Sequence, residues 1–283
     1  MDARTRLCAV IGKPIGHSLS PQIHNAAFAE LGLNYSYVAF EVDDVPGAME
    51  GVRALGIAGL SVTIPHKVAT MVEMDEVDPV AQDIGCVNTV VNSEGRLIGY
   101  NTDGLGALHA LLAAGCDLDG RSVLILGSGG AARAIAITLA HKCLLEKMTI
   151  LGILEEERTI LAQQAQSQTC YVVEHADLAE SVLQEILPQH DVLIQCTPVG
   201  MYPKTEATLV PESLLRPDLW VFDVVYNPLE TMLLRQAKAL GCHVVAGAEM
   251  FVRQAAAQFE LWTGETAPIN VMFDVVLEAL QRR

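Results

Sequence analysis

SVLILGSGGAARAIAITLA, Ser122–Ala140, decides how this chain is read. An apolar run, Val123–Leu126, enters a turn of Gly127, Ser128, Gly129 and Gly130, and a long helix-forming stretch follows from Ala131. Glycines there let the backbone approach a pyrophosphate, while the helix N-terminus offers unpaired N–H groups and the positive end of its dipole. Ala132, small, permits close packing of helix on strand. Such turns also merely connect elements, so the context must decide. Further strands read at Met148–Ile153, Cys170–Glu174, Val192–Cys196, Trp220–Val225 and His243–Ala246, with helical patterns between them. Alternating strands and helices predict an α/β, Rossmann-type dinucleotide-binding domain with a mainly parallel sheet over 105–250. The polar stretch Cys116–Ser122 marks its entry.

Upstream, strands read at Leu7–Ile11, Tyr35–Val42 and Gly59–Ile64. Ser20 and Pro21 have the form of an N-cap and first helical residue, with Gly32 closing that helix. A helix follows over Val45–Leu55. Val87–Asn92 and Leu97–Asn101 flank Ser93-Glu94-Gly95, a hairpin turn, and another helix spans Gly104–Ala114. The two last helical patterns, Met250–Trp262 and Asn270–Leu280, have no strand after them. If the later half takes a dinucleotide, the first hundred residues should hold the substrate.

Composition narrows the chemistry. With 283 residues, 51% of them hydrophobic and 18% charged, the chain reads as globular and two-domain. Its net charge of −16 argues against nucleic acid or an anionic membrane surface as a partner. No apolar run approaches a membrane span, and the N-terminal apolar stretch is too short for a secretory signal. Seven scattered cysteines without a CxxC pair point to a reducing cytoplasm and no metal site.

Four polar stretches stand near element ends in the first half. GKPIGHSLSP supplies Ser18 and Ser20, whose hydroxyls suit a carboxylate, although helix capping would also account for Ser20. VTIPHK supplies Thr63 and Lys67, the latter an amine at a strand tip or a plain solvated lysine. VNTV supplies Asn88, and GYNTDG supplies Asp103, equally readable as an N-cap. Hydroxyls, an amine, an amide and a carboxylate ahead of a nucleotide module together suit a polyhydroxylated carboxylic acid.

These stretches, with GSGGAARA, CTPVGM, DVVYNPLETMLL and GAEMFVRQAAAQFELWTG in the same order, resemble the shikimate dehydrogenase family from about Ile11 to Gly264. The resemblance implies NAD(P)H-dependent reduction of 3-dehydroshikimate to shikimate in chorismate and aromatic amino acid biosynthesis, by a cytoplasmic monomer or homodimer. It implies Lys67 and Asp103 as the catalytic pair. Ser18, Ser20 and Tyr226 would bind the substrate carboxylate, and Thr63, Asn88 and Gln254 the ring hydroxyls. Gly127, Ser128, Gly129, Gly130 and Ala131 would hold the cofactor, with Thr197, Met201, Val224, Gly247 and Met250 toward the nicotinamide. Because Gln254 follows the Rossmann strands, residues 251–283 would return to join 1–104 in the substrate domain.

Two departures from the family pattern matter. Ser61 stands where the family usually has asparagine. Members using NADP commonly read Asn-Arg-Thr after the second Rossmann strand, the arginine facing the 2′-phosphate, whereas this chain has Gly152-Ile153-Leu154 and then Glu155, Glu156, Glu157 and Arg158. NADP follows from the family, while the local charge leaves NAD open. The rival readings are an NAD-using quinate/shikimate dehydrogenase, a folate-type methylene dehydrogenase, and a non-catalytic regulatory homologue that binds shikimate.

Overall fold

The computed structural model describes residues 1–282. The chain divides into two compact units, one formed by 1–102 with the segment from Val252 onward, the other by 103–251.

In the first unit the order is β1 (Arg6–Gly12), α1 (Ser20–Glu30), β2 (Tyr35–Glu41), α2 (Val45–Leu55), β3 (Gly59–Val62), α3 (Lys67–Val72), β4 (Glu76–Val77), α4 (Pro79–Ile84), β5 (Thr89–Ser93) and β6 (Arg96–Tyr100). The sheet order is β2-β1-β3-β5-β6-β4. β2, β1 and β3 are parallel, and β5 is antiparallel to both β3 and β6. Local chemistry fixes several boundaries. Asp44 caps α2 by accepting from Gly47 N, Pro46 stands in its first turn, and Gly56 closes it in the left-handed region at φ 63°. The β5–β6 hairpin turns through Glu94 and Gly95 at φ 54° and 92°, the positive pair that a two-residue I′ turn requires.

The second unit runs α5 (Asp103–Ala113), β7 (Ser122–Leu126), α6 (Gly130–Lys142), β8 (Lys147–Gly152), α7 (Glu155–Gln166), β9 (Val172–Asp177), α8 (Glu180–Ile186), β10 (Val192–Gln195), β11 (Trp220–Asp223), α9 (Met232–Ala239) and β12 (His243–Ala246). Its sheet is wholly parallel, in the order β12-β11-β10-β7-β8-β9. The order reverses at β7, so a crevice lies beyond the carboxyl ends of β7 and β10, where such sheets take dinucleotides. Every residue of β7, β10 and β11 is buried, as expected for strands covered on both faces. Gly104 in α5 packs against the Thr138 side chain and the Ala134 carbonyl of α6, where any side chain would collide.

α10 (Gly247–Thr263) begins in the second unit and ends in the first, and α11 (Ile269–Gln281) packs on α1. A Cβ on Gly59 would overlap the Trp262 indole, whose Nε1 donates to Val90 O at 3.0 Å. That close approach seats the end of α10 on β3 and β5.

The α/β class and the Rossmann-type second sheet follow the sequence reading, and some details differ. Ser20 is not the N-cap of α1. Leu19 holds that position without a side-chain cap, and Ser20 and Pro21 are the first helical residues. The strand expected at Cys170–Glu174 lies at Val172–Asp177. Periodicity reveals none of α3, β4 or α4, because a six-residue helix spans less than two turns and a two-residue strand makes a single alternation.

Candidate active site

In the first unit the polar residues singled out from sequence gather at one end of the sheet. Thr63 follows β3 directly; its N donates to Ile11 O, and Lys13 N donates to Ile64 O, so the tips of β1 and β3 are laced together. A Cβ on Gly12 would fall 2.5 Å from Thr63 Cγ2, which explains that glycine. The loop after β1 brings Ser18 back to α1, where its Oγ accepts from Ser20 N at 3.3 Å. With no side-chain cap on α1, capping does not account for the Ser20 hydroxyl.

Lys67 opens α3 and is partly buried. Its carbonyl accepts from Val87 N at 3.0 Å, and the preceding His66 is anchored by Nε2 against Val42 O at 2.8 Å. Lys67 and Asn88 are thereby held next to one another along the chain path. Val62 N donates to Asn88 O, which puts Asn88 beside the tip of β3. Asn88 is buried. Its Oδ1 accepts from Thr102 N at 2.8 Å and Thr89 Oγ1 at 2.6 Å, and its Nδ2 donates to Thr102 Oγ1 at 3.1 Å. Asp103 is the next residue, the first of α5.

Sequence reasoning missed the support behind these groups. Tyr37 OH donates to Ser61 Oγ at 2.6 Å, and Ser61 Oγ donates to Gln258 Oε1 at 2.7 Å. Gln258 Nε2 donates to Thr89 Oγ1 and Asn88 O, at 3.0 and 3.2 Å. Ser61, in the position of the family asparagine, is therefore the middle of a satisfied buried chain. Tyr37 also stacks on His24 with ring centroids 4.5 Å apart, and burial pushes the imidazole down to about 3, so His24 is neutral. Along α10, Trp262 meets Gly59 and Gln258 meets Ser61. Four helical residues rise about 6 Å and two strand residues about 6.6 Å. That register carries Gln254 level with Thr63.

In the second unit the glycine turn is open. Gly127 has φ 110°, and a Cβ on it would fall 3.3 Å from Thr197 Cγ2. Gly129 and Gly130 have no atom within 4 Å of a Cβ position, and no side chain caps α6. Its first N–H groups have no side-chain acceptor and two glycines leave the approach to them unobstructed, so the residues fit a dinucleotide pyrophosphate. Ser128 and Ala131 flank this turn. Gln195 shapes the neighbouring loop: its Oε1 accepts from Thr197 N at 2.6 Å, and its Nε2 donates to Thr197 O and Val199 O. Met201, 46% exposed, follows at that loop's end.

Val224 N donates to Gln195 O, and Gly247 is pressed so closely on the Val224 and Val225 carbonyls that a Cβ would lie 2.5 Å from each. Tyr226 stacks on Phe251, with centroids 4.7 Å apart and planes 8° from parallel, and Met250 precedes Phe251 on α10. Asp223, buried at the end of β11, holds this segment: its carboxylate accepts from Val225 N at 3.1 Å and Thr231 Oγ1 at 2.7 Å. Burial raises its pKa to about 6 against those two hydrogen bonds, which lower it. Neither Gln195 nor Asp223 has a motif that separates it from an ordinary strand-end polar residue.

Family models match two stretches of the chain, and relatives match nearly all of it. Residues 10–90 match the shikimate dehydrogenase substrate binding domain, and 247–280 match the shikimate 5′-dehydrogenase C-terminal domain. A shikimate dehydrogenase (NADP(+)) of Moorella thermoacetica is 44% identical, covering 99% of this chain and 95% of the relative. The structure of shikimate 5-dehydrogenase from Listeria monocytogenes in complex with shikimate and NAD superposes with a TM-score of 0.93 at 36% identity, covering 98% of each chain. That of the Thermus thermophilus enzyme in complex with NADP(H) and shikimate gives 0.85 at 36% identity, covering 97% of this chain and 100% of the other. With such identity sustained over nearly its whole length, the chain belongs to the shikimate dehydrogenase family.

Proposed function

We propose that this protein is a shikimate dehydrogenase, reducing 3-dehydroshikimate reversibly to shikimate with NADP(H) in aromatic amino acid biosynthesis. The observation that supports the reading is the set of polar residues at one end of the first sheet: Ser18, Thr63, Lys67 and Asn88 stand on the segments at the tips of β1, β3 and β5. Residues 1–102, with the segment from Val252, form the substrate side, and 103–251 the dinucleotide side.

The nicotinamide supplies the hydride that reaches C3 of the substrate. Negative charge then develops on the C3 oxygen, where the Lys67 ammonium stabilises it and donates the proton, and in the reverse direction the amine accepts it. Asp103 accepts a hydrogen bond from the reacting hydroxyl and orients it. Ser18, Ser20 and Tyr226 hold the carboxylate, while Thr63, Asn88 and Gln254 bind ring hydroxyls. The N–H groups of Gly127–Ala131 hold the pyrophosphate, and Thr197, Met201, Val224, Gly247 and Met250 line the nicotinamide side. Seven cysteines, none in a disulfide, suit a reducing cytoplasm, and the working unit is a monomer or homodimer.

The test offers purified protein shikimate or quinate with NADP or NAD and follows the nicotinamide absorbance. Turnover with shikimate and NADP is expected. Absence of turnover with shikimate and either dinucleotide would remove the assignment.

A further inference from the structure

The end of β8 is built differently from the rest of the dinucleotide crevice. A Cβ on Gly152 would lie 3.0 Å from Ser128 Oγ and 3.1 Å from Arg158 Cβ. The space of a side chain at 152 is thus filled from two sides, by the glycine turn and by α7. Both intruding residues bring a charged group with them. Ser128 Oγ donates to Glu157 Oε2 at 3.0 Å, which sets a carboxylate on the glycine turn itself. Arg158 goes the other way: Nη1 donates to Gly152 O at 3.0 Å and lies 3.6 Å from Asp177 Oδ1 at the end of β9, and the side chain is only 13% exposed. Ile153 and Leu154, 73% and 53% exposed, bring no charge to the surface between them, and Glu155 and Glu156 share the first turn of α7.

In a βαβ dinucleotide unit the adenosine ribose lies past the glycine turn, toward the end of the second strand. An acid there accepts the ribose 2′-OH of NAD, whereas an arginine takes the 2′-phosphate of NADP. We infer that Glu157 determines dinucleotide choice in this chain: its carboxylate accepts the 2′-OH and opposes a 2′-phosphate, so NAD binds about as tightly as NADP. The inference rests on the reading that the protein uses a nicotinamide dinucleotide. A 2′-phosphate carries close to two negative charges and would have to share the turn with Glu157. Arg158 reaches it only by leaving the Gly152 carbonyl and Asp177, so its attraction is largely spent within the fold.

The test is direct titration of the full chain with NADP+ and with NAD+, without the acid substrate and at one salt concentration. Wild type is compared with Glu157→Gln and, separately, Ile153→Arg. The wild-type dissociation constants should lie within about tenfold of one another. Glu157→Gln should move the ratio toward NADP by about tenfold, the equivalent of about 1.4 kcal/mol. Ile153→Arg, at an exposed position, should move it the same way with Glu157 intact. A wild-type preference for NADP of about a hundredfold or more, or a ratio unmoved by Glu157→Gln, would overturn the inference and assign the phosphate to Arg158 or Arg133. Binding of neither dinucleotide would overturn the proposed function together with the inference.

Discussion

Replacing Gln258 by leucine keeps most of the side-chain volume and removes three hydrogen bonds from the core of the first unit: those to Thr89 Oγ1 and Asn88 O, and the one received from Ser61 Oγ. At about 1 kcal/mol each these contribute about 3 kcal/mol. The two acceptors keep other contacts, since Asn88 O still accepts from Val62 N and Thr89 Oγ1 still donates to Asn88 Oδ1. The Ser61 hydroxyl proton is the group left stranded, because Tyr37 already donates to that oxygen, and a buried unpaired donor costs about 1–3 kcal/mol. Burial of the leucine offsets about 1–2 kcal/mol. The expected net loss is therefore about 2–5 kcal/mol. Urea unfolding followed at Trp262, in a Trp220→Phe background, reads this unit, since the Trp262 indole is bonded to Val90 O within it. A loss below about 1 kcal/mol with an unchanged m-value would refute the argument that the buried chain from Tyr37 to Asn88 supports the site.

Three substitutions test other parts of the account. Ser18→Ala and Tyr226→Phe should each raise KM for shikimate with little change in kcat, because a carboxylate is bound alike in ground and transition states, each bond contributing about 1.5–3 kcal/mol. A fall in kcat at constant KM would contradict the assignment. Asp223→Asn tests the buried carboxylate. Its pKa is raised from 3.8 to about 6, so between those values the folded protein retains a proton that the unfolded chain has released. Stability then falls as pH rises through that window, by up to about 3 kcal/mol. Asparagine lacks this ionisation, so the variant should gain on wild type between pH ~4 and pH ~7. Unfolding midpoints that keep a constant gap across that range would contradict it.

Most of the second sheet was legible because parallel strands buried on both faces are continuous apolar runs. The turn at Gly127–Gly130 was equally legible, since a strand, glycines and a helix follow in a fixed order. The hairpin at Glu94–Gly95 announced itself through its turn chemistry. The residues that support the site did not. Gln258 stands in an amphipathic helical pattern where a glutamine reads as solvent-facing, and only the close fit of Gly59 on Trp262 turns that face inward. Asp223 and Gln195 end buried strands, and their work is to bond backbone groups of the following loops, which no local pattern encodes. Ser20-Pro21 has the form of a cap and first helical residue, but the helix starts one residue earlier and leaves the hydroxyl to other work.

The role of Lys67 is the central claim, and Lys67→Ala tests it most directly when kcat and shikimate affinity are measured separately on the same protein. Loss of proton transfer at the C3 oxygen should lower kcat by about 10²–10⁴, while the hydroxyl and carboxylate ligands keep shikimate affinity within about tenfold. Turnover close to wild type would show that Lys67 is an ordinary lysine at the start of α3 and that the proton comes from another group.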